Sequence, residues 1–417
     1  MSRIAFERAV LNNGLTVVAH SDMDTPMAVV NLLYKVGARD ERPERTGLAH
    51  LFEHLMFSGS KNVANFDSAL QRAGGNNNAF TNNDLTNYYD ILPVANLETA
   101  LWLESDRMST LNLSDRSIET QRSVVIEEFK ENYLNQPYGD VWHLLRQMAY
   151  KTHPYRWPTI GKTLEHVEQA TDEELRQFYQ TYYQPGNAVL TVAGGKSTSE
   201  LLQLAERWFG DLPGRVLPEK EYPLEHNQTE PRRLEHEADV PAHAIYKVYH
   251  MPHRTDSAYY AADLLSDVLS SGISARLQQR LVRQQPLFSS INASIAGSLD
   301  PGLFMVHGRL QEGVRLENAE KALDQEIEKL TQKSVTTHEL EKVKNKVESG
   351  FAYHTLNLMN RAYSLGYFEM LGDADGLNQE KEKYLTQTAG DLMNTAQDVL
   401  IPENSSTLIY IAKGKAA

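Results

Sequence analysis

The chain has 417 residues, 41% of them hydrophobic and 23% charged, the make-up of a globular protein long enough for two to three domains. A formal net charge of −14 with no basic cluster argues against nucleic-acid binding, and the absence of cysteine excludes disulfides, thiolate catalysis and any Cys-ligated metal. No apolar run reaches about 18 residues, so no membrane-spanning helix is expected.

The opening, MSRIAFERAVLNNG, lacks the apolar core of a secretory signal, which makes the cytoplasm the expected location. Two β-type runs follow, GLTVVAH and MAVVNLLYKVG, and then GLAHLFEHLMFSG, residues 47–59, whose apolar residues have helical spacing. At about 100° per residue, Leu48, Leu51, Phe52, Leu55 and Met56 share one arc, and His50, Glu53 and His54 fall on the opposite one. Histidines at i and i+4 stand one turn apart on the same side, so their ring nitrogens can converge on one ion at about 2.0–2.1 Å. Glu53 projects beside them. This is the arrangement of the inverted zinc-peptidase motif H-x-x-E-H.

A catalytic zinc needs a third protein ligand and an open position for water. With no cysteine, that ligand is His or a carboxylate, and RSIETQRSVVIEEFKENYLN, 116–135, reads as a helix crowded with candidates: Glu127, Glu128 and Glu131. Val124 and Val125 are expected to pack one turn before Glu128, which puts that carboxylate at the edge of the buried face and leaves Glu127 and Glu131 on an exposed one.

Residues 211–233, DLPGRVLPEKEYPLEHNQTEPRR, are rich in proline and charge and read as a linker. The expected division is an N-terminal zinc-binding catalytic domain at 1–215, a linker at 216–233, and a C-terminal homologous domain without metal at 234–417. The halves end alike. TDEELRQFYQTYYQPGNAVLTVAG parallels TAGDLMNTAQDVLIPENSSTLIYIAKG, with Thr171 and Thr388, Leu175 and Leu392, Pro185 and Pro402, and Asn187 and Asn404 all offset by 217, as duplication of one α/β unit would produce. Setting GLAHLFEHLMFSG against YAADLLSDVLSSG puts Asp263, Ser266 and Asp267 in the places of His50, Glu53 and His54. The second half thus keeps the helix and lacks the ligands, and one metal per chain is expected.

HLFEHLMF, then NNNAFTNNDLTNYYDILP, then QRSVVIEEF, together with YKVGARDE, LESDRM, HPY and PGNAVLTVAG, resembles the M16 metallopeptidases, the family of pitrilysin, insulin-degrading enzyme and the mitochondrial processing peptidase. The resemblance runs through the N-terminal half and more faintly through the second. It implies an α+β fold of two homologous α/β-roll domains, each a mixed or antiparallel sheet packed with helices, as in LuxS/MPP-like metallohydrolases. It also implies a zinc endopeptidase holding one Zn2+ through His50, His54 and Glu128, since the family's third ligand is the glutamate of a V-I/V-x-x-E segment and Glu128, 74 residues after His54, fits. Glu53 is then the general base. By the same resemblance Asn78, Ala79, Phe80 and Thr81 form an edge strand on which a peptide substrate is laid as an added strand.

Two departures stand out. Many members carry another glutamate seven residues before the ligand glutamate, where this chain has Gln121; glutamine keeps hydrogen bonding beside the ligand but brings no charge. Active sites in the family also receive an arginine and a tyrosine from the C-terminal half or a partner subunit, and here RLVRQQPLFSSINAS places Val282 and Ser289 at those positions, with Arg280 and Arg283 nearby. Some small bacterial members are heterodimers of a zinc-bearing chain and a metal-free partner that supplies the pair. The expected assembly is therefore a heterodimer in which this is the zinc-bearing chain, with a homodimer as the alternative. A competing expectation is a weakly active or inactive scaffold subunit of the same family, against which the intact Glu53 argues.

Overall fold

The structure is a computed structural model that describes residues 3–414. Its strands fall into two sheets of mixed direction. The first contains β1 (Glu7–Val10), β2 (Thr16–Ser21), β3 (Met27–Tyr34), β4 (Asn76–Thr81), β5 (Thr86–Pro93) and β6 (Ala188–Gly194) in the order β1-β2-β6-β3-β5-β4. The second contains β7 (Arg232–Ala238), β8 (Ala244–Met251), β9 (Phe288–Ala296), β10 (Gly302–Leu310) and β11 (Ser405–Ala412) in the order β7-β11-β8-β10-β9. The pairings repeat: β2 runs parallel to β6, and β6–β3–β5–β4 alternate antiparallel, just as β7 runs parallel to β11 and β11–β8–β10–β9 alternate. The fold is α+β, a duplicated sheet-and-helix unit, with β1 added at one edge of the first copy.

Local chemistry explains why the ends of the two copies coincide. Thr171 and Thr388 each cap a helix, Asp172–Tyr182 and Ala389–Val399, in a reciprocal capping box with Glu174 and Asp391. Leu175 and Leu392 are fully buried one turn in. Pro185 and Pro402 open matching short turns into β6 and β11.

Each sheet needs cover on both faces, and part of it comes from the other half of the chain. In the first unit, helix Leu358–Met370 lies on the sheet, with Leu365 and Phe368 against Val18 and Val189, and Ala362 against Val29 and Ala193. Gly366 permits the close approach, since a Cβ there would stand 2.9 Å from Thr191 Oγ1. In the second unit, Leu145 and Met148 of helix Val141–Ala149 pack with Val248, Leu408 and Tyr410. The compact units are consequently discontinuous: residues up to Lys130 with Trp157–Tyr222 and Phe351–Gln379, and Glu131–Arg156 with Pro223–Gly350 and the residues from Glu380. They differ from the continuous stretches 1–215 and 234–417 by the exchange of these two helical segments.

The 211–233 stretch changes unit between Tyr222 and Pro223 and is pinned on both sides of that point. Within the first unit, Lys220 Nζ and Tyr222 OH both reach Asp40 Oδ1 at 2.7 Å. Within the second, the Glu225 carboxylate accepts the backbone N–H groups of Lys151, Thr152 and His153 at 2.8–3.0 Å. Among the described residues no helix is long and apolar enough to cross a membrane.

Candidate metal centre

The 47–59 segment forms helix Leu48–Leu55. Its apolar arc is buried as the spacing requires, with Leu48, Leu51, Phe52, Leu55 and Met56 all at 5% exposure or less. Phe52 stacks on Phe178 at 5.3 Å between ring centroids, and Tyr88 OH donates to the Phe52 carbonyl at 3.3 Å. Those contacts fix the rotation of the helix and turn His50, Glu53 and His54 away from the core.

The carboxylate-rich segment forms helix Asp115–Phe129, which continues as a wider π-type turn over Lys130–Leu134. Ile118, Val125 and Phe129 are its buried stripe. Val124, expected to pack, is instead 46% exposed, because a residue about 100° round from Val125 lies on the same flank as Glu128 and looks outward with it. The anchoring of Glu128 therefore comes from Val125 and Phe129. Glu127 is exposed and pairs with Lys130 at 2.7 Å, and Glu131 is exposed. Of the three carboxylates, Glu128 is the one brought to the histidines.

His50 Nε2 and His54 Nε2 lie 3.7 and 3.4 Å from Glu128 Oε2, and among the described residues this is the only group of three His, Asp or Glu side chains whose ligand atoms converge, all within 4.8 Å of one another. Two ligands at about 2.05 Å from one ion with a tetrahedral angle between them are about 3.3 Å apart. The two nitrogen–carboxylate distances thus lie within a few tenths of an ångström of the spacing a zinc ion imposes. Burial, opposed by Glu128, brings the His50 imidazole down to about 4, so its ring is neutral and able to ligate at neutral pH. The hydrogen bond with His54 holds the Glu128 carboxyl below its ordinary range, which keeps it anionic.

Burial raises the Glu53 carboxyl, opposed first by a hydrogen bond from the Thr81 side chain and also by one from the Thr81 backbone. Thr81 ends β4, which occupies the edge of its sheet. Asn78 is exposed on that strand and accepts the Ala79 N–H through Oδ1 at 2.8 Å, and the Phe80 ring packs edge-on against Tyr363 at 5.5 Å. The Thr81–Glu53 link was not visible in the sequence, because it joins a strand to a helix through tertiary placement alone. Nor was the role of Glu41, whose buried carboxylate accepts Gly47 N–H and Ala49 N–H at 2.9 and 2.8 Å. A hint lay in Gly47, a helix start with no side chain to cap it.

Gln121 is half-buried two turns before Glu128. In the second unit, Val282 lies in the turn Gln278–Gln284 and Ser289 in β9. Ser289 Oγ donates to the Arg309 carbonyl at 3.2 Å, and Arg280 and Arg283 are exposed.

The fold and the cluster define a class: a duplicated α+β chain in which one unit carries a two-histidine, one-carboxylate candidate metal centre on an H-x-x-E-H helix. The family model described as insulinase (peptidase family M16) matches residues 16–163, and that described as the peptidase M16 inactive domain matches 169–347. The chain belongs to peptidase family M16. It is 29% identical over 411 residues to a Helicobacter pylori protein named zinc protease PqqE, covering 96% of this chain and 92% of the other. It is 30% identical over 208 residues to a probable mitochondrial-processing peptidase subunit beta of Schizosaccharomyces pombe, covering 49% and 45% of the two. A crystal structure of a protease from Helicobacter pylori superposes with a TM-score of 0.91 at 29% identity, over 98% of this chain and 99% of that one.

Proposed function

We propose that the chain is a zinc-dependent endopeptidase acting on extended peptides or unfolded segments. The observation that carries this reading is the convergence of His50 Nε2, His54 Nε2 and Glu128 Oε2 within 4.8 Å, with Glu53 on the same helix face and hydrogen-bonded to the edge strand. Zinc, when bound, brings the pKa of a water toward about 7 and polarises a carbonyl. The chain's own residues do the rest. The outer edge of β4, the side away from its partner β5, presents the backbone of Asn78, Ala79, Phe80 and Thr81 to a peptide added as a strand, a mode that reads main chain more than side chain. Glu53 accepts the proton of the attacking water and returns it to the departing amine. Thr81 holds the Glu53 carboxylate while doing so, and Gln121 supports the Glu128 helix without adding charge. The raised Glu53 carboxyl suits both halves of this exchange, since a base nearer to neutrality also serves as the acid that protonates the amine.

The positions of Val282 and Ser289 support a second element of the reading: an M16-like partner subunit supplies the arginine and tyrosine in a heterodimer, or a second copy does so in a homodimer. The same two positions favour the competing reading of a weakly active scaffold subunit. Quenched fluorogenic peptides incubated with the zinc-loaded chain alone, and again after chelation and zinc return, separate the two. Zinc-dependent cleavage, with or without stimulation by an added M16 partner, is expected. A chain that holds zinc and cleaves nothing under either condition would leave only the scaffold.

A further inference from the structure

Helix Leu48–Leu55 begins at Gly47, whose φ of +89° is left-handed and whose place leaves no room for a side chain, since a Cβ would stand 2.7 Å from the Ile160 carbonyl and 2.8 Å from Val167 Cγ2. The residue at the helix start therefore cannot cap it, and the N–H groups of the first turn need another acceptor. That acceptor is Glu41, six residues upstream and 6% exposed, which takes Gly47 N–H and Ala49 N–H at 2.9 and 2.8 Å and also bonds the Leu48 N–H. No basic side chain figures among the main influences on this carboxylate, which are burial, those backbone bonds and the neighbouring Asp40.

His50 is the third residue of the same helix and sits in the turn whose N–H groups make the positive end of the helix dipole. A divalent cation held there by His50 and His54 is opposed by that positive end. The Glu41 carboxyl, which burial raises to about 8 against those bonds, fixes through the same N–H groups the direction in which the turn, and with it the His50 ring, points, and in its ionised form it also offsets the opposition. We propose that Glu41 is a positioning residue of the metal centre, setting the placement of His50 and the affinity of the site for zinc without touching metal or substrate. This rests on the zinc reading above.

The test compares the native chain with Glu41→Gln, which keeps one oxygen acceptor but no charge, and with Glu41→Asp, which keeps charge but draws it back by one methylene. Zinc affinity of the metal-free chain is read by competition with a chromophoric chelator, the ligand geometry by the visible spectrum of the Co2+ derivative, and the fold by the urea midpoint of the metal-free chain. Both variants are expected to bind zinc at least about tenfold more weakly at pH 9, above the raised Glu41 value of about 8, with an altered Co2+ spectrum and a urea midpoint for Glu41→Gln no lower than native, because the substitution also removes a carboxyl whose ionised form burial disfavours. Zinc affinity within twofold of native in both variants overturns the proposal. So does a loss of affinity that merely follows a lowered urea midpoint in both. A native chain that binds no zinc sinks the metal reading itself, which is a different failure from a native chain that binds one equivalent and variants that bind it as well.

Discussion

Helix Leu48–Leu55 and its counterpart Ala258–Ser270 are built on the same apolar arc and end in opposite chemical states. In the second, Leu264, Leu265, Val268 and Leu269 are buried, and every side chain at the three corresponding positions is satisfied within its unit. Asp263 accepts the Tyr384 hydroxyl at 2.7 Å, Asp267 accepts Lys346 Nζ at 2.6 Å, and Ser266 Oγ donates to the Asp263 carbonyl at 2.8 Å. In the first, the two imidazoles and Glu128 meet one another rather than a structural cation, and His50 Nδ1 is buried without a hydrogen-bond partner. Duplication thus preserved the part of the helix that makes a core. The outward positions diverged, one set toward a candidate metal centre and the other toward the protein itself.

The sharpest way to break this contrast is to strip the first helix of its ligands. His50→Ala, His54→Ala or Glu128→Gln should each reduce zinc from one equivalent per chain to roughly none by elemental analysis and abolish peptide cleavage. Glu53→Gln should retain the zinc and lower turnover by about 10²- to 10⁴-fold; a variant that kept native turnover would remove Glu53 from the chemistry. On the second helix the effects should be structural. Tyr384→Phe leaves the half-buried Asp263 carboxyl without its hydroxyl donor and should cost about 1 kcal/mol in urea unfolding, with zinc content unchanged.

The smallest effect concerns acid. In the second unit, Glu339 takes two hydrogen bonds from Arg276 at 2.7 and 2.9 Å as well as the Thr336 N–H at 2.8 Å. The Arg276 bonds come first among the causes that hold its carboxyl at about 2 against an ordinary 4.5. A carboxyl depressed on folding contributes stability that is complete above the unfolded value and is lost as pH falls from about 4.5 to about 2. Allowing for solvent screening of this partly exposed pair, the loss is about 1–2 kcal/mol, and Glu339→Gln should flatten that part of the urea midpoint profile.

What the sequence disclosed and what it withheld divide by range. The H-x-x-E-H face, the capping threonines and the Pro-led turns are written within a few neighbouring residues, and each was legible from spacing alone. Glu128 was legible as a candidate on its helix, and the family resemblance singled it out as the expected ligand; the structure brings it to the two histidines. Val124 was misplaced because two adjacent valines look alike in sequence, while a turn of about 100° sends one inward and the other out. The Thr81 and Glu41 contacts depend on where separate elements come to rest, and no local pattern encodes that. The exchange of Val141–Ala149 and Leu358–Met370 is of the same kind, since each helix has an ordinary apolar stripe that does not name the sheet it will cover.

That exchange has a practical consequence for anyone dividing the gene. A break between Tyr222 and Pro223 would leave neither fragment with a complete core: the N-terminal piece would lack the helix that covers Val18, Val29 and Val189, and the C-terminal piece the one that covers Val248 and Leu408. Two such polypeptides would have to be made together and rebuild both cores jointly, so co-expression of the pieces is expected to succeed where expression of the His50–His54 half alone fails.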